Sequence, residues 1–158
     1  MKKIVDSVFG ELKYELGWRK IYNINIFGCN NDVILIVDGE ENREIMEEQR
    51  EIFLEFDKNK KKFLNIAEEN LFKYYVNNLD EIRDYIDKSE WDDLAPQITN
   101  RNQLSRILTP CEVIIPNFME EGSVVFAIAF NNTWQEEHTL VIKFENDSIE
   151  IGSEDIIL

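Results

Sequence analysis

The only histidine of this 158-residue chain lies in a short segment that also carries two carboxylates and a tryptophan. The segment, Trp134-Gln135-Glu136-Glu137-His138, precedes a strand-like run that begins at Leu140. An imidazole beside carboxylates can transfer protons when its pKa is tuned and a substrate lies within reach. The same residue types can bind a metal ion, or they can hold a structural corner by hydrogen bonding. The segment is therefore a candidate catalytic site, a candidate metal site or an element of the fold.

The composition of this segment favours the structural alternative. A metal site needs two or three converging ligands, and the chain has no second histidine. Glu136, Glu137 and His138 are consecutive, so their side chains do not all face one point. We predict that His138 bonds a neighbouring backbone group or carboxylate while Trp134 packs beneath it. The alternative is a small enzyme or ligand-binding domain whose pocket uses His138, Glu137 and Trp134.

Motifs for other chemistries are absent from the sequence. It contains no G-x-x-x-x-G-K-S/T loop, GxGxxG, GxSxG, HExxH or EF-hand loop. Its two cysteines, Cys29 and Cys111, lie far apart and belong to no CxxC or Cys/His cluster. We therefore assign no catalytic or metal-binding residue and expect no cofactor.

The charge of the chain restricts its partners. It has 32 acidic and 17 basic residues, which gives a formal net charge of −15. Such a surface repels nucleic acid and anionic lipid, and it accelerates association with a basic protein. No run approaches transmembrane length, and the N-terminus lacks the apolar segment of a signal peptide. We expect a cytoplasmic protein with reduced thiols that binds neither nucleic acid nor membranes.

The hydrophobic pattern predicts one α+β domain over residues 1–158. Strands are expected at 1–38 and 111–158, on either side of a helical middle at 41–108. The two sets of strands either join one curved antiparallel sheet or face each other, with the helices packed on one side. The run 123–130 is apolar on both faces, which predicts a central strand.

Within the helical middle, the period changes to that of helices at residue 41. We predict helices at 41–57, at 61–77 with an end at Asn77-Asn78, and at 80–87. Asn102 is expected to cap a further short helix that ends at Leu108. The inward face of the first helix is predicted to comprise Ile45, Gln49, Ile52, Phe53 and Phe56.

Two surfaces of this middle region are candidate partner-binding sites. The outward face of the first helix carries Glu44, Glu47, Glu48, Glu51 and Glu55. It is either a solvated face or a negative patch for a basic partner. Trp91, Asp92 and Asp93 form the second candidate, because an exposed tryptophan beside acids suits a binding hot spot. The alternative is a tryptophan that plugs the end of the helical layer.

The segment from Trp134 to Phe144 resembles the ending of a bacterial domain family of unknown function. Members of that family end with a W-D/Q-x-E-H-G-L-like signature, followed by a strand and a short strand with a glycine and an acid. Trp134, Glu137, His138 and Leu140 match this signature, whereas Thr139 stands where glycine is more usual. The remaining matches are Gly152 and Asp155 near the end and Phe9, Gly10, Glu11, Leu12 and Trp18 near the start.

Domains of this kind occur near polymorphic toxin systems, and some are candidate immunity proteins. The resemblance therefore implies a small non-enzymatic antitoxin that binds and blocks a basic toxin domain. In that case Trp134, Glu137 and His138 are markers of the fold, and the acidic surface elsewhere makes the contact. A third hypothesis is a domain that associates with itself through its strand edges.

Overall fold

In the part of the chain that the structure describes, eight strands form one sheet in which the spatial order equals the chain order. The structure is a computed structural model that describes residues 2–117 and 122–157. The strands are β1 (Lys3–Asp6), β2 (Gly10–Tyr14), β3 (Trp18–Ile26), β4 (Cys29–Val37), β5 (Leu108–Ile115), β6 (Val125–Asn132), β7 (Leu140–Glu145) and β8 (Ser148–Gly152). Neighbours pair antiparallel except β4 and β5, which pair parallel.

The helices lie in the connection between the two parallel strands. A parallel pair needs a long crossover, because the chain must return to the same end of the sheet. Here the crossover carries α1 (Glu47–Lys58), α2 (Lys60–Asp84) and α3 (Trp91–Leu94). Short 3-10 turns occupy Lys88–Glu90 and Arg101–Arg106, and another follows β8 at Glu154–Ile156. The predicted α+β architecture, with both strand sets in one sheet, is confirmed.

The main core lies between the helices and one face of the sheet. Aromatic rings fill much of it: the ring centroids of Phe56 and Phe126 are 5.0 Å apart, and Phe126 stacks on Phe144 at 4.8 Å. Phe63 of α2 makes T-shaped ring contacts with both Phe126 and Phe144. Ile45, Gln49, Ile52, Phe53 and Phe56 are all buried, as their spacing predicts.

A second, smaller core lies on the opposite face of the sheet, called here the outer face. Ala127, Ala129 and Val141 are buried there beneath Ile156 and Ile157 of the C-terminal turn, with partly buried Cys111 and Ile114 beside them. Strand β6 is therefore buried on both faces, as expected for a central strand.

A buried ion pair joins α1 to the β1–β2 turn. The Asp6 carboxylate accepts hydrogen bonds from the backbone N–H groups of Val8 and Phe9, at 2.9 and 3.0 Å. It also accepts two from Arg50, from Nε at 3.0 Å and from Nη2 at 2.7 Å. Burial alone raises the pKa of Asp6, but these hydrogen bonds outweigh it and the pKa lies below its ordinary value.

The N-terminus of α1 is attached to the ends of β4 and β5 by one buried amide. Gln49 Nε2 donates to the carbonyls of Asp38, Ile115 and Pro116, at 2.8, 3.3 and 3.2 Å. Gln49 Oε1 accepts from Met46 N–H at 3.1 Å, which closes the first turn. Both ends of the amide are therefore satisfied where the crossover leaves the sheet, beside the C-terminal end of the parallel neighbour β5.

Several predicted helix boundaries are wrong. The first helix begins at Glu47 rather than 41, so Glu44 lies before it. The second does not end at Asn77-Asn78 but continues to Asp84. Asn78 is tolerated because its side-chain amide bonds the Tyr74 carbonyl one turn back, at 2.7 Å.

The region after α2 also differs from the prediction. Asn100, not Asn102, caps the 3-10 turn, since its carboxamide oxygen accepts from Gln103 N–H. Leu108 does not end a helix but begins β5, three residues before the predicted strand region at 111–158. Leu16 and Tyr85 are large apolar side chains, yet they are 84% and 90% exposed.

Candidate functional site

His138 lies in the turn between β6 and β7, and Asn132 fixes that turn. The Asn132 side chain accepts from Gln135 N–H at 2.7 Å and donates to the His138 carbonyl at 2.9 Å. His138 N–H donates to the Gln135 carbonyl at 3.1 Å. The turn is thus held by a buried amide at the end of β6.

The imidazole of His138 contacts a carboxylate that the sequence did not single out. Its Nδ1 lies 2.9 Å from Oε1 of Glu154, and the other oxygen of Glu154 accepts from Thr139 N–H at 3.2 Å. The hydrogen bond and the charge of Glu154 raise the pKa of His138 above its ordinary value. The same hydrogen bond lowers the pKa of Glu154. The pair ties the β6–β7 turn to the C-terminal turn.

The three residues of the alternative pocket have different neighbours. The partly buried Trp134 ring packs on Tyr75 of α2, with centroids 5.6 Å apart, and joins the main core. His138 turns to Glu154, whereas Glu137 is exposed. An enzyme or ligand-binding domain that uses these residues stays a prediction. Across the described ranges, 2–117 and 122–157, no group of three or more His, Cys, Asp or Glu side chains is placed to hold a metal ion.

The His138–Glu154 pair makes a pH-dependent prediction. The raised pKa of His138 means that its contribution to stability is present below about pH 6.5 and is lost as the pH rises through the folded-state pKa. The lowered pKa of Glu154 means that its contribution is present above about pH 4.5 and is lost as the pH falls through its folded-state pKa. The contact is therefore strongest between these values.

Glu154→Gln should bring the pKa of His138 back toward 6.5. The measurement is an NMR titration of the imidazole protons, which are unambiguous because the chain has one histidine. Glu136→Gln is the matched control, since Glu136 does not contribute to the shift. An unchanged His138 pKa in Glu154→Gln would contradict the contact.

The acidic residues predicted on the first helix are exposed. Glu47, Glu48, Glu51 and Glu55 project from α1 away from the core, and Glu44 is exposed just before it. We call these five residues the acidic face. Glu47 bonds Arg50 at 3.0 Å, and Glu55 accepts from the Asn59 side chain at 3.1 Å.

Trp91 is the first residue of α3. Its partly buried ring packs against the C-terminal end of α2. Its indole N–H donates to the carbonyls of Arg83 and Ile86, both at 3.1 Å, and the Arg83 guanidinium lies 5.0 Å from the ring centroid. These bonds occupy the polar atom of the ring within the fold. Asp92 and Asp93 are exposed beside it, so a partner contact here stays a prediction.

Two features of the site region have no local signal in the amino-acid sequence. Glu154 is distant from His138 along the chain, and only the β7–β8 hairpin brings them together. The groove on the outer face, lined by Ile114, Ala129 and Val141, joins residues of three strands. In the sequence, this groove is indicated only by the second apolar face of residues 123–130.

The fold and its side chains define an α+β domain with a mostly antiparallel sheet, helices on one face and an acidic first helix. A family model matches residues 8–158, and the chain belongs to that family, described as a domain of unknown function (DUF6985). No match was found among curated proteins or among solved structures. Within the part of the chain that the structure describes, no helix combines the length and apolar character needed to cross a membrane.

Proposed function

We propose that this chain is a non-enzymatic protein-binding module, an immunity protein that neutralises a basic bacterial toxin domain. The observation that carries the proposal is the acidic face of α1, whose carboxylates project from one side of a rigidly anchored helix. The formal net charge of −15 has the same sign. A basic partner is the class of macromolecule that such a surface attracts.

The carboxylates of this face are largely left to solvent. Arg50 is the only basic residue of α1 before Lys58, and it bonds Asp6 and Glu47. Glu48 and Glu51 have no ion-pair partner among the described residues. Their charges are therefore available to a partner without first breaking internal bonds.

The helix that presents these charges is held in place from its other side. Ile52, Phe53 and Phe56 are buried, and the Gln49 amide bonds the ends of two strands. A surface that is already ordered loses little conformational entropy when it binds. This arrangement suits a protein that must capture its partner quickly and hold it.

The negative charge of the acidic face also suits the inhibition of a toxin that acts on nucleic acid. A toxin domain that acts on nucleic acid has a basic cleft, because that cleft must bind phosphates. An acidic helix face competes for the same cleft, and opposite charges accelerate the encounter. The proposal is therefore inhibition by occupying a basic surface, without any chemical step.

The test is a growth-rescue experiment with the protein encoded immediately upstream. Expression of its C-terminal domain alone is expected to stop bacterial growth, and co-expression of this chain is expected to restore it. The two proteins should also elute together on size exclusion. A non-toxic upstream product, or a toxic one that this chain neither binds nor neutralises, would contradict the proposal.

A further inference from the structure

The outer face of the sheet carries a groove of about 490 Å³ next to the C-terminal turn. Ile36, Ile114, Ala129 and Val141 form its floor, and Ile157 lies along one side. These residues belong to the face opposite α1, since Phe126, Ile128 and Phe130 of the same strand face the helices. Ala129 and Val141 are buried beneath Ile156 and Ile157, whereas Ile114 is only partly buried, so the floor is apolar and Ile114 is its more accessible part.

Carboxylates border this apolar floor. Asp38 follows β4, Glu112 lies on β5 and Glu154 belongs to the C-terminal turn, and all three line the groove. Glu154 already bonds His138 and Thr139. Asp38 and Glu112 differ from Glu154, because neither forms an ion pair in the described part of the chain. There, the Asp38 carboxylate accepts a hydrogen bond only from the N–H of Gly39.

Among the described residues, no basic side chain forms an ion pair with Asp38 or Glu112, although Lys3, Lys13 and Arg19 form a row on the same face that leads to Ile36. Within residues 2–117 and 122–157, the lining of the groove includes no lysine or arginine. Lys143 contacts Glu145, Glu150 and the Ile156 carbonyl, at 3.7, 3.1 and 3.1 Å. Arg19 of β3 lies directly across from Ile36 of β4, so it stands beside the groove without lining it, and it forms no ion pair among the described residues.

We propose that this groove binds an arginine side chain of the partner protein. An arginine presents an aliphatic stem and a planar cation, which match the apolar floor and the two carboxylates of Asp38 and Glu112. A neutral apolar side chain would leave those carboxylates beside its surface without a counter-charge. A second copy of this chain would bring like charges together, given the net charge of −15.

The groove and the acidic face meet at one end of the sheet. The Asp38 carbonyl accepts from Gln49 of α1 at 2.8 Å, so the border of the groove adjoins the first turn of that helix. Glu48, in the same turn, belongs to the acidic face. One basic partner can therefore contact both surfaces around this end, and to that extent the inference rests on the proposed function.

The test needs no toxin and uses the full chain with a pair of peptides. Acetyl-Leu-Arg-Leu-amide is titrated into isotopically labelled protein, and backbone amide shifts are followed by NMR. The control peptide replaces arginine by citrulline, which keeps the shape and removes the charge. We expect shifts centred on Ile114, Ala129 and Val141, with binding of the arginine peptide about fivefold tighter.

Variants assign the charge effect to the groove. Asp38→Asn with Glu112→Gln should remove the preference for arginine over citrulline. Glu11→Gln with Asp32→Asn removes the same charge from exposed positions of the outer face that do not line the groove, and the preference should persist.

Three results would overturn the inference. The first is an absence of shifts at the groove, and the second is equal binding of both peptides. The third is a concentration-dependent shift of the groove amides without peptide, because a second copy would then be the occupant. Because these readouts use no toxin, failed growth rescue with intact arginine binding would reject the proposed function alone.

Discussion

Replacing Glu48 and Glu51 by lysine should slow the association of this chain with its basic partner by about a hundredfold at low salt. Both residues project from α1 and lack an ion-pair partner among the described residues. Reversal changes the local charge by four units, while the buried face of the helix is untouched. Adding Glu47→Lys should weaken capture further, but it also removes a bond to Arg50.

The measurement is stopped-flow or surface-plasmon association at several salt concentrations. The wild-type rate should fall steeply with salt, whereas the variant's rate should depend on salt only weakly. Asp80→Lys with Glu81→Lys is the matched control, because these neighbours are exposed on α2 and undergo the same charge change. Equal rates for wild type and the α1 variant, with unchanged thermal unfolding, would remove the acidic face from the interface.

The fold class could be predicted because the period of apolar residues changes along the chain. The period is about two residues in the strands, about 3.6 residues in the helical middle, and about two residues again from β5 onward. The parallel pairing of β4 with β5 has no such local signal. It depends on how the crossover packs, because the pairing joins residues 78 positions apart, such as Leu35 and Val113.

The turn between β3 and β4 shows how packing overrides local preference. The segment 28–32 is rich in the glycine, asparagine and aspartate typical of turns, but Phe27 and Gly28 form the turn, with φ values of 56° and 77°. Phe27 accepts this unfavourable conformation where its ring packs near Phe130, at 5.9 Å, and its N–H reaches Glu68. The asparagines instead extend β4, where Asn30 accepts from Asn25 across the strand pair.

The site region was predictable only where the chemistry is local. The exposure of the Glu48 and Glu51 side chains follows from helical spacing once the buried face is known. The contact between His138 and Glu154 and the groove near Ile114 require several strands to meet, so neither has a periodic signature. Gln49 shows the same limit. The helical spacing predicts that it faces inward, but its three carbonyl partners belong to other segments of the chain, so the need for a polar residue there has no local signal.

Gln49→Glu should destabilise the protein by about 3 kcal/mol at pH 8, although it replaces one atom. The Gln49 amide is 1% exposed and donates to three carbonyl oxygens. A carboxylate there would face those oxygens without a proton to donate. The folded state would therefore favour the protonated acid, and the pKa of the introduced carboxyl would rise above its ordinary value.

The direction of the pH dependence separates this mechanism from a simple packing defect. A raised folded-state pKa means that the penalty is small where the carboxyl is protonated and grows as the pH rises through that pKa. Urea unfolding of Gln49→Glu at pH 5.5 and pH 8 should show this increase relative to wild type. Gln49→Met, of similar size but uncharged, should cost about 1 to 3 kcal/mol at both values, because the carbonyls lose their donor. A loss of stability in Gln49→Glu that does not change with pH would contradict this mechanism. It would mean that the ends of β4 and β5 separate from α1 and admit water, so the amide would not hold the crossover to the sheet.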